Sequence, residues 1–141
     1  MYLEAMRPPE LVCVDPARIR EVWPHARDKI KLAIETTALS AFEDIEDGIL
    51  SGEQLLWLAW DGNEILAAAA THITKPLSKV CTLTACAGNE RDRWLPLMEK
   101  IEQYAIDEGC SSMRIYGRKG WERVLTGYKA QHVILEKRLG R

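Results

Sequence analysis

Residues 54–60 (QLLWLAW) and 64–74 (EILAAAATHIT) leave this chain the least freedom. Both are strand-length apolar runs, and Asp61-Gly62-Asn63 between them is a compact hairpin turn. Side chains alternate along a strand, so Leu56, Leu58 and Trp60 fall on one face of the first run and Leu55, Trp57 and Ala59 on the other. A strand apolar on both faces must be covered on both, as a central strand with helices on each side is. In the second run, the alanines from 67 to 70 let something pack closely against the strand.

The rest of the chain supplies the covering elements. Residues 11–14 read as a first strand, and Asp15-Pro16 as a helix entry with Asp as cap and Pro at the first helical position. Ile19, Val22, Trp23, Ala26, Ile30, Ala33 and Ile34 then recur at helical spacing, with Pro24 predicting a kink or two shorter pieces. Ser40 and Glu43 have the spacing of a capping box for a second helix, with Phe42, Ile45, Ile49 and Leu50 as its apolar face and Gly52 as its stop. A strand at 79–86 follows the hairpin. In the next helix, 94–107, Trp94, Leu97, Met98, Ile101, Tyr104 and Ala105 recur at three and four, Pro96 limits its start, and Gly109 stops it. Strands at 112–116 and 132–139 flank a short helical piece around Trp121. The expectation is one α+β domain, a sheet layered by helices.

Bulk properties narrow the function. With 141 residues the chain is long enough for one sizeable core. No run approaches the ~20 apolar residues of a membrane span, and no secretory signal is readable at the N-terminus. A net charge of −2 argues against a phosphate-driven nucleic-acid binder. The basic cluster Arg114, Arg118, Lys119, Arg123, Lys137, Arg138 and Arg141 reads as a solvated face, or as an anion or partner surface. Cys13, Cys81, Cys86 and Cys110 form no CxxC pair and stand far in sequence from His25, His72 and His132, so no metal site is expected. Cys13, Cys81 and Cys110 lie in or beside apolar runs and read as small buried hydrophobes, in a reducing compartment.

The order of elements, the Asp-Gly hairpin, Ile101-Glu102 with Ala105 and Gly109, and Gly127-Tyr128 opening the last strand resemble the GNAT (Gcn5-related N-acetyltransferase) superfamily along nearly the whole chain. The segments LWLAWDGNEIL, DRWLPLMEKIEQYA and GRKGWERVL are similar to GNAT-like proteins of tailed bacteriophages and prophages. The resemblance implies the GNAT fold, a central mixed, mostly antiparallel sheet flanked by helices. It implies acetyl-CoA as cofactor, bound by backbone amides of Thr84, Ala85, Cys86 and Ala87 and by the turn Gly88, Asn89, Arg91 and Arg93. It also implies a bacterial host cytoplasm or a phage virion as location, with virion proteins as partners.

In that family a loop of small residues enters the long helix, where free amides face a pyrophosphate. Here Asn89-Glu90-Arg91-Asp92-Arg93-Trp94 takes that place, with Asp92 and Trp94 where small residues are usual. Arg91 and Arg93 offset the charge of Asp92 but not the bulk of Trp94. Structurally, Asp92 reads as a helix cap and Trp94 as the first core residue of the helix. For a general acid, the position after the fifth strand carries Arg123 and its neighbours instead of the family's Tyr, leaving Tyr116 and Tyr128 as the nearby phenols. For a general base the candidates are Glu43, Glu64 and His72, with His72 on the strand near where the resemblance places an acceptor amine. Of the five tryptophans, Trp121 has the weakest core pattern and is expected as an exposed interface anchor. Two functions follow: an acetyl-CoA-dependent N-acyltransferase, or a non-catalytic virion protein using the same fold as a packing module.

Overall fold

The computed structural model describes residues 8–117 and 120–140. Arg118, Lys119 and Arg141 of the basic cluster lie outside the described residues. The elements are β1 (Glu10–Cys13), a 3-10 turn (Pro16–Arg18), α1 (Ile19–Thr37), α2 (Phe42–Ser51), β2 (Leu55–Trp60), β3 (Ile65–Thr74), β4 (Val80–Gly88), the single turn α3 (Arg91–Trp94), a 3-10 turn (Leu95–Leu97), α4 (Met98–Asp107), β5 (Ser112–Ile115) and the short α5 (Trp121–Val124). The five strands pair in sequence order, antiparallel from β1 to β4 and parallel between β4 and β5.

The apolar alternation of β2 resolves as expected. Leu56 and Leu58 point into a core shared with Trp23, Ala26, Ile30 and Ala33 of α1 and Ile45 and Ile49 of α2. Trp57 points to the opposite face, among Leu83, Met98 and Ile101. Ala68, Ala70 and Ala85 join the α1 side, where their small side chains let the helix approach the sheet. Gly52 ends α2 at φ +86° and Gly109 ends α4 at φ +83°. After α4 the Cys110 amide donates to the Ala105 carbonyl and the Gly109 amide to Ile106, the paired bonds of a Schellman stop.

Several expectations change. Helix α1 runs unbroken through Pro24. The bond that Pro24 forgoes is to Arg20, one turn after the helix begins, and both residues are exposed to solvent. The capping box does not form. Ala41, extended at φ −82° and ψ 132°, precedes the first helical residue, and no side chain caps the helix. The Phe42 ring stacks on Trp23 with centroids 6.3 Å apart, and the Arg27 guanidinium lies 4.7 Å above it. Burying such a ring is worth about 1.5–3 kcal/mol, against about 1 kcal/mol for a cap, so packing sets the helix start. Asp92 is not a cap either, since Glu90 stands at that position with φ 54°. Cys13, expected to be buried, is exposed on the edge strand β1.

The largest difference is at the C-terminus. Residues 132–139 form no strand: the sheet ends at β5, and the chain from 129 to 140 is exposed throughout. A strand exists only through its ladder partner, and residues 132–140 make no backbone hydrogen bond to any described residue.

Candidate functional site

Strands β4 and β5 separate partway along their length. Their pairing runs from Val80 opposite Ser112 to Leu83 opposite Ile115, with the Tyr116 amide donating to the Leu83 carbonyl. Beyond Leu83, β4 pairs with β3 alone. The ladder between β3 and β4 shifts register at this level: Ala70 faces Ala85 and Thr71 faces Leu83, which leaves Thr84 as the extra residue of a bulge. The buried Thr84 hydroxyl lies 2.7 Å from Gln54 Oε1 and 3.2 Å from the Ala70 carbonyl oxygen, so its proton is held on the α1–α2 side of the sheet.

The other residues expected to hold the cofactor line the end of this split. Ala85 is buried against α1, and Cys86 is half-buried on the opposite face with Trp94 and Trp121. Burial pushes the Cys86 thiol up to about 12, so it stays protonated. Ala87 pairs with Ala68. A Cβ on Gly88 would come within 2.4 Å of both the Ala67 Cβ and the Leu66 carbonyl oxygen. The smallness of Gly88 therefore serves the approach of β3. The Asn89 amide donates to Leu66, and its carbonyl accepts the Trp94 indole N–H at 2.9 Å. Arg93 sits 3.2 Å from Glu90 and 3.5 Å from Asp61, tying this turn to the hairpin. Arg91 is exposed.

Trp94, packed with Ala59, Leu66 and Ala67, meets Trp121 with ring centroids 6.3 Å apart. Trp121 is half-buried in the core clusters, which corrects its expected place as an exposed anchor. Its ring lies against Gly117, the second residue past β5, where an added Cβ would stand 2.6 Å from Trp121 Cδ1. The sequence signal was present but easy to miss: a glycine four residues before a tryptophan leaves room for the ring.

The catalytic candidates do not converge. Tyr116 is 43% exposed at the end of β5. The Tyr128 hydroxyl donates to Glu102 at 2.6 Å, and burial, followed by that carboxylate, raises its pKa well above the ordinary phenol value. A phenol so held is a poor proton donor at neutral pH. His72 lies on β3 with Nε2 3.7 Å from Glu53, beside an open cavity of about 580 Å³ lined by Gly52, Leu55, Thr71, Tyr104 and Glu108. Burial raises the Tyr104 phenol to about 12. His72 is level with Thr82 of β4, before the strands separate. Glu43 and Glu64 are exposed, and the Glu64 amide donates to Asp61. Gln54 and Glu102 carry no sequence-based expectation as the partners of Thr84 and Tyr128.

Among the described residues, no group of three or more His, Cys, Asp or Glu could hold a metal ion. No helix among them is long and apolar enough to cross a membrane.

No family model matches the chain, and no curated protein matches it. Solved structures do. An aminoglycoside acetyltransferase from an uncultured soil metagenomic sample, in complex with sisomicin, superposes with a TM-score of 0.68 at 10% identity, over 94% of this chain and 97% of that one. A second aminoglycoside acetyltransferase from an uncultured soil metagenomic sample gives 0.64 at 10% identity, over 94% and 98%. A transcriptional regulator from Bacillus halodurans gives 0.59 at 17% identity, over 93% and 99%. With its mixed five-stranded sheet between helices, the chain has the fold of the GNAT acetyltransferases.

Proposed function

We propose that this chain is a GNAT-fold protein whose acetyl-CoA cleft is closed by its own side chains, and that it acts as a packing and interaction module. The observation that carries this is the Trp94–Trp121 contact just past the end of β4, with the Trp121 ring laid against Gly117. On this reading the two rings take room that a pantetheine chain would use, and Trp94, anchored to Asn89, covers backbone that a pyrophosphate would need bare. The one-turn α3 adds little dipole for an anion, and Arg93 is already paired with carboxylates. The residues present therefore do not fit the cofactor. The similarity of three segments to GNAT-like proteins of phages supports a tailed-phage particle as the setting. Mass spectrometry of purified virions tests that part, and absence of the protein from them rejects it.

Titration calorimetry with acetyl-CoA tests the closed cleft: no heat and no thermal shift are expected at millimolar ligand. Saturable binding would instead favour an acyltransferase. One observation supports that second reading: β4 and β5 part at the bulge of Thr84, leaving one edge of β4 unpaired from there to Gly88. In that case the amides of Thr84, Ala85, Cys86 and Ala87 would hold the cofactor. Fold likeness to an aminoglycoside acetyltransferase makes a small amine a reasonable acceptor class to screen.

A further inference from the structure

We infer that β5, α5 and the segment 129–140 form a docking surface for an anionic lipid bilayer. Charge is the first observation. Residues 114–141 carry eight of the nineteen Lys and Arg but only two of the twenty-one Asp and Glu, a net +6 beside −8 for residues 1–113. Arg114, Arg123, Lys129, Lys137 and Arg138 are exposed, and none of them is in an ion pair among the described residues. Unpaired cations at one end of an otherwise acidic chain make a one-sided field. An anionic surface attracts that end and holds the acidic remainder away.

The second observation is what stands among those cations. Val133 is 77% exposed, Ile134 67%, Leu135 91% and Leu139 80%. Lys129 precedes this run, and Lys137 and Arg138 lie inside it. Large aliphatic side chains interleaved with cations suit the boundary between lipid headgroups and acyl chains. There the ammonium and guanidinium groups stay level with the phosphates while the aliphatic groups leave water. Tyr116, 43% exposed at the end of β5, is an aromatic of the kind that sits at that level. A nucleic acid would satisfy the charge alone. It gains from stacking on aromatic faces, and residues 129–140 include no Phe, Tyr or Trp.

The third observation is where the segment is rooted. The Tyr128 hydroxyl donates to Glu102, and the Ala130 amide donates to Glu122 at 2.8 Å. Arg123 and Lys129 each stand one residue from the second bond, so the apolar run starts beside two cations. Trp121 and Tyr128 pack on the α4 flank of the sheet. The acid-rich α2, with Glu43, Asp44 and Asp47 exposed, packs on the opposite flank. The cationic, apolar part is thus kept apart from the most acidic helix. A fluid bilayer requires no strand direction or register from it.

Vesicle flotation of the full chain tests the idea. With phosphatidylcholine and phosphatidylglycerol in equal parts the protein is expected to float with the lipid, and less so as salt is raised. With phosphatidylcholine alone it is expected to stay in the aqueous layer. Lys137→Ala combined with Arg138→Ala is expected to weaken binding about fivefold for each charge removed. Leu135→Ser combined with Leu139→Ser is expected to weaken it too, with the circular dichroism of the free protein unchanged. No flotation with the anionic vesicles overturns the proposal, as does equal flotation with both lipids. Full retention of binding by the leucine variant overturns it in favour of charge alone, the behaviour of a nucleic-acid surface. A chain that is dimeric without lipid, with its 133–139 amides protected from hydrogen exchange, overturns it in favour of a second copy as the cover.

Discussion

The two flanks of this sheet are built to different degrees of completeness. On the α1–α2 side, Ile30, Leu56 and Ala70 are fully enclosed. The polar groups at its rim are matched there: Glu46 accepts from the Trp23 indole at 2.7 Å and from the Arg27 guanidinium at 2.8 Å. At the β5 end, a four-residue strand carries half-buried side chains, a half-buried Trp121 packs on Trp94, and an apolar tail stands in solvent. The difference separates what the chain stabilises by itself from what it leaves to be completed. Trp121 belongs to the less finished side, half-buried against Trp94 and Gly117.

The largest expected effect probes the finished side. Leu56→Ala removes a side chain that is 1% exposed, and is expected to cost about 2–5 kcal/mol of unfolding free energy, read as a lower denaturant midpoint. A much smaller loss would mean that this flank is no better packed than the other. Trp121→Ala is intermediate. Half-burial against Trp94 and Gly117 predicts a loss of about 1–3 kcal/mol, seen as a lower thermal midpoint. An unchanged midpoint would restore Trp121 as an exposed anchor and remove the support that its burial lends to a closed cleft. The smallest effect concerns the rim. Hydrogen bonds from Trp23, then from Arg27, hold the Glu46 carboxyl below its usual range. A depressed carboxylate stabilises the fold above its unfolded pKa, and that contribution is lost as pH falls through the depressed value. Acid titration of stability followed by circular dichroism should therefore show a shallower decline, at lower starting stability, for Glu46→Gln than for the parent.

Much of the sheet was legible because its signals are local. The two-faced apolar pattern of residues 54–60 announced a covered central strand, and Gly52 and Gly109 marked helix ends where a positive φ is required. The errors arose where local and distant terms compete. Ser40 and Glu43 have the spacing of a cap, but the Phe42–Trp23 stack places the helix start one residue later than a Ser40 cap requires. Pro24 reads as a breaker, and its position early in α1 made it harmless. At the candidate site, the bulk of Trp94 was visible in the loop sequence, and the structure buries it. The part played by Trp121 was not, since its contact partner lies 27 positions away in the chain.

By itself the sequence determined the succession of strands as far as β5, the covered central hairpin and the bulk at the turn before α4, because periodicity, turn chemistry and side-chain size act over a few residues. Tertiary structure alone decided that Gly88 serves β3, that Tyr128 is held by Glu102, and that residues 132–139 find no ladder partner among the described residues. Each of these depends on which groups meet across the fold, and a strand in particular has no existence apart from the edge that accepts it.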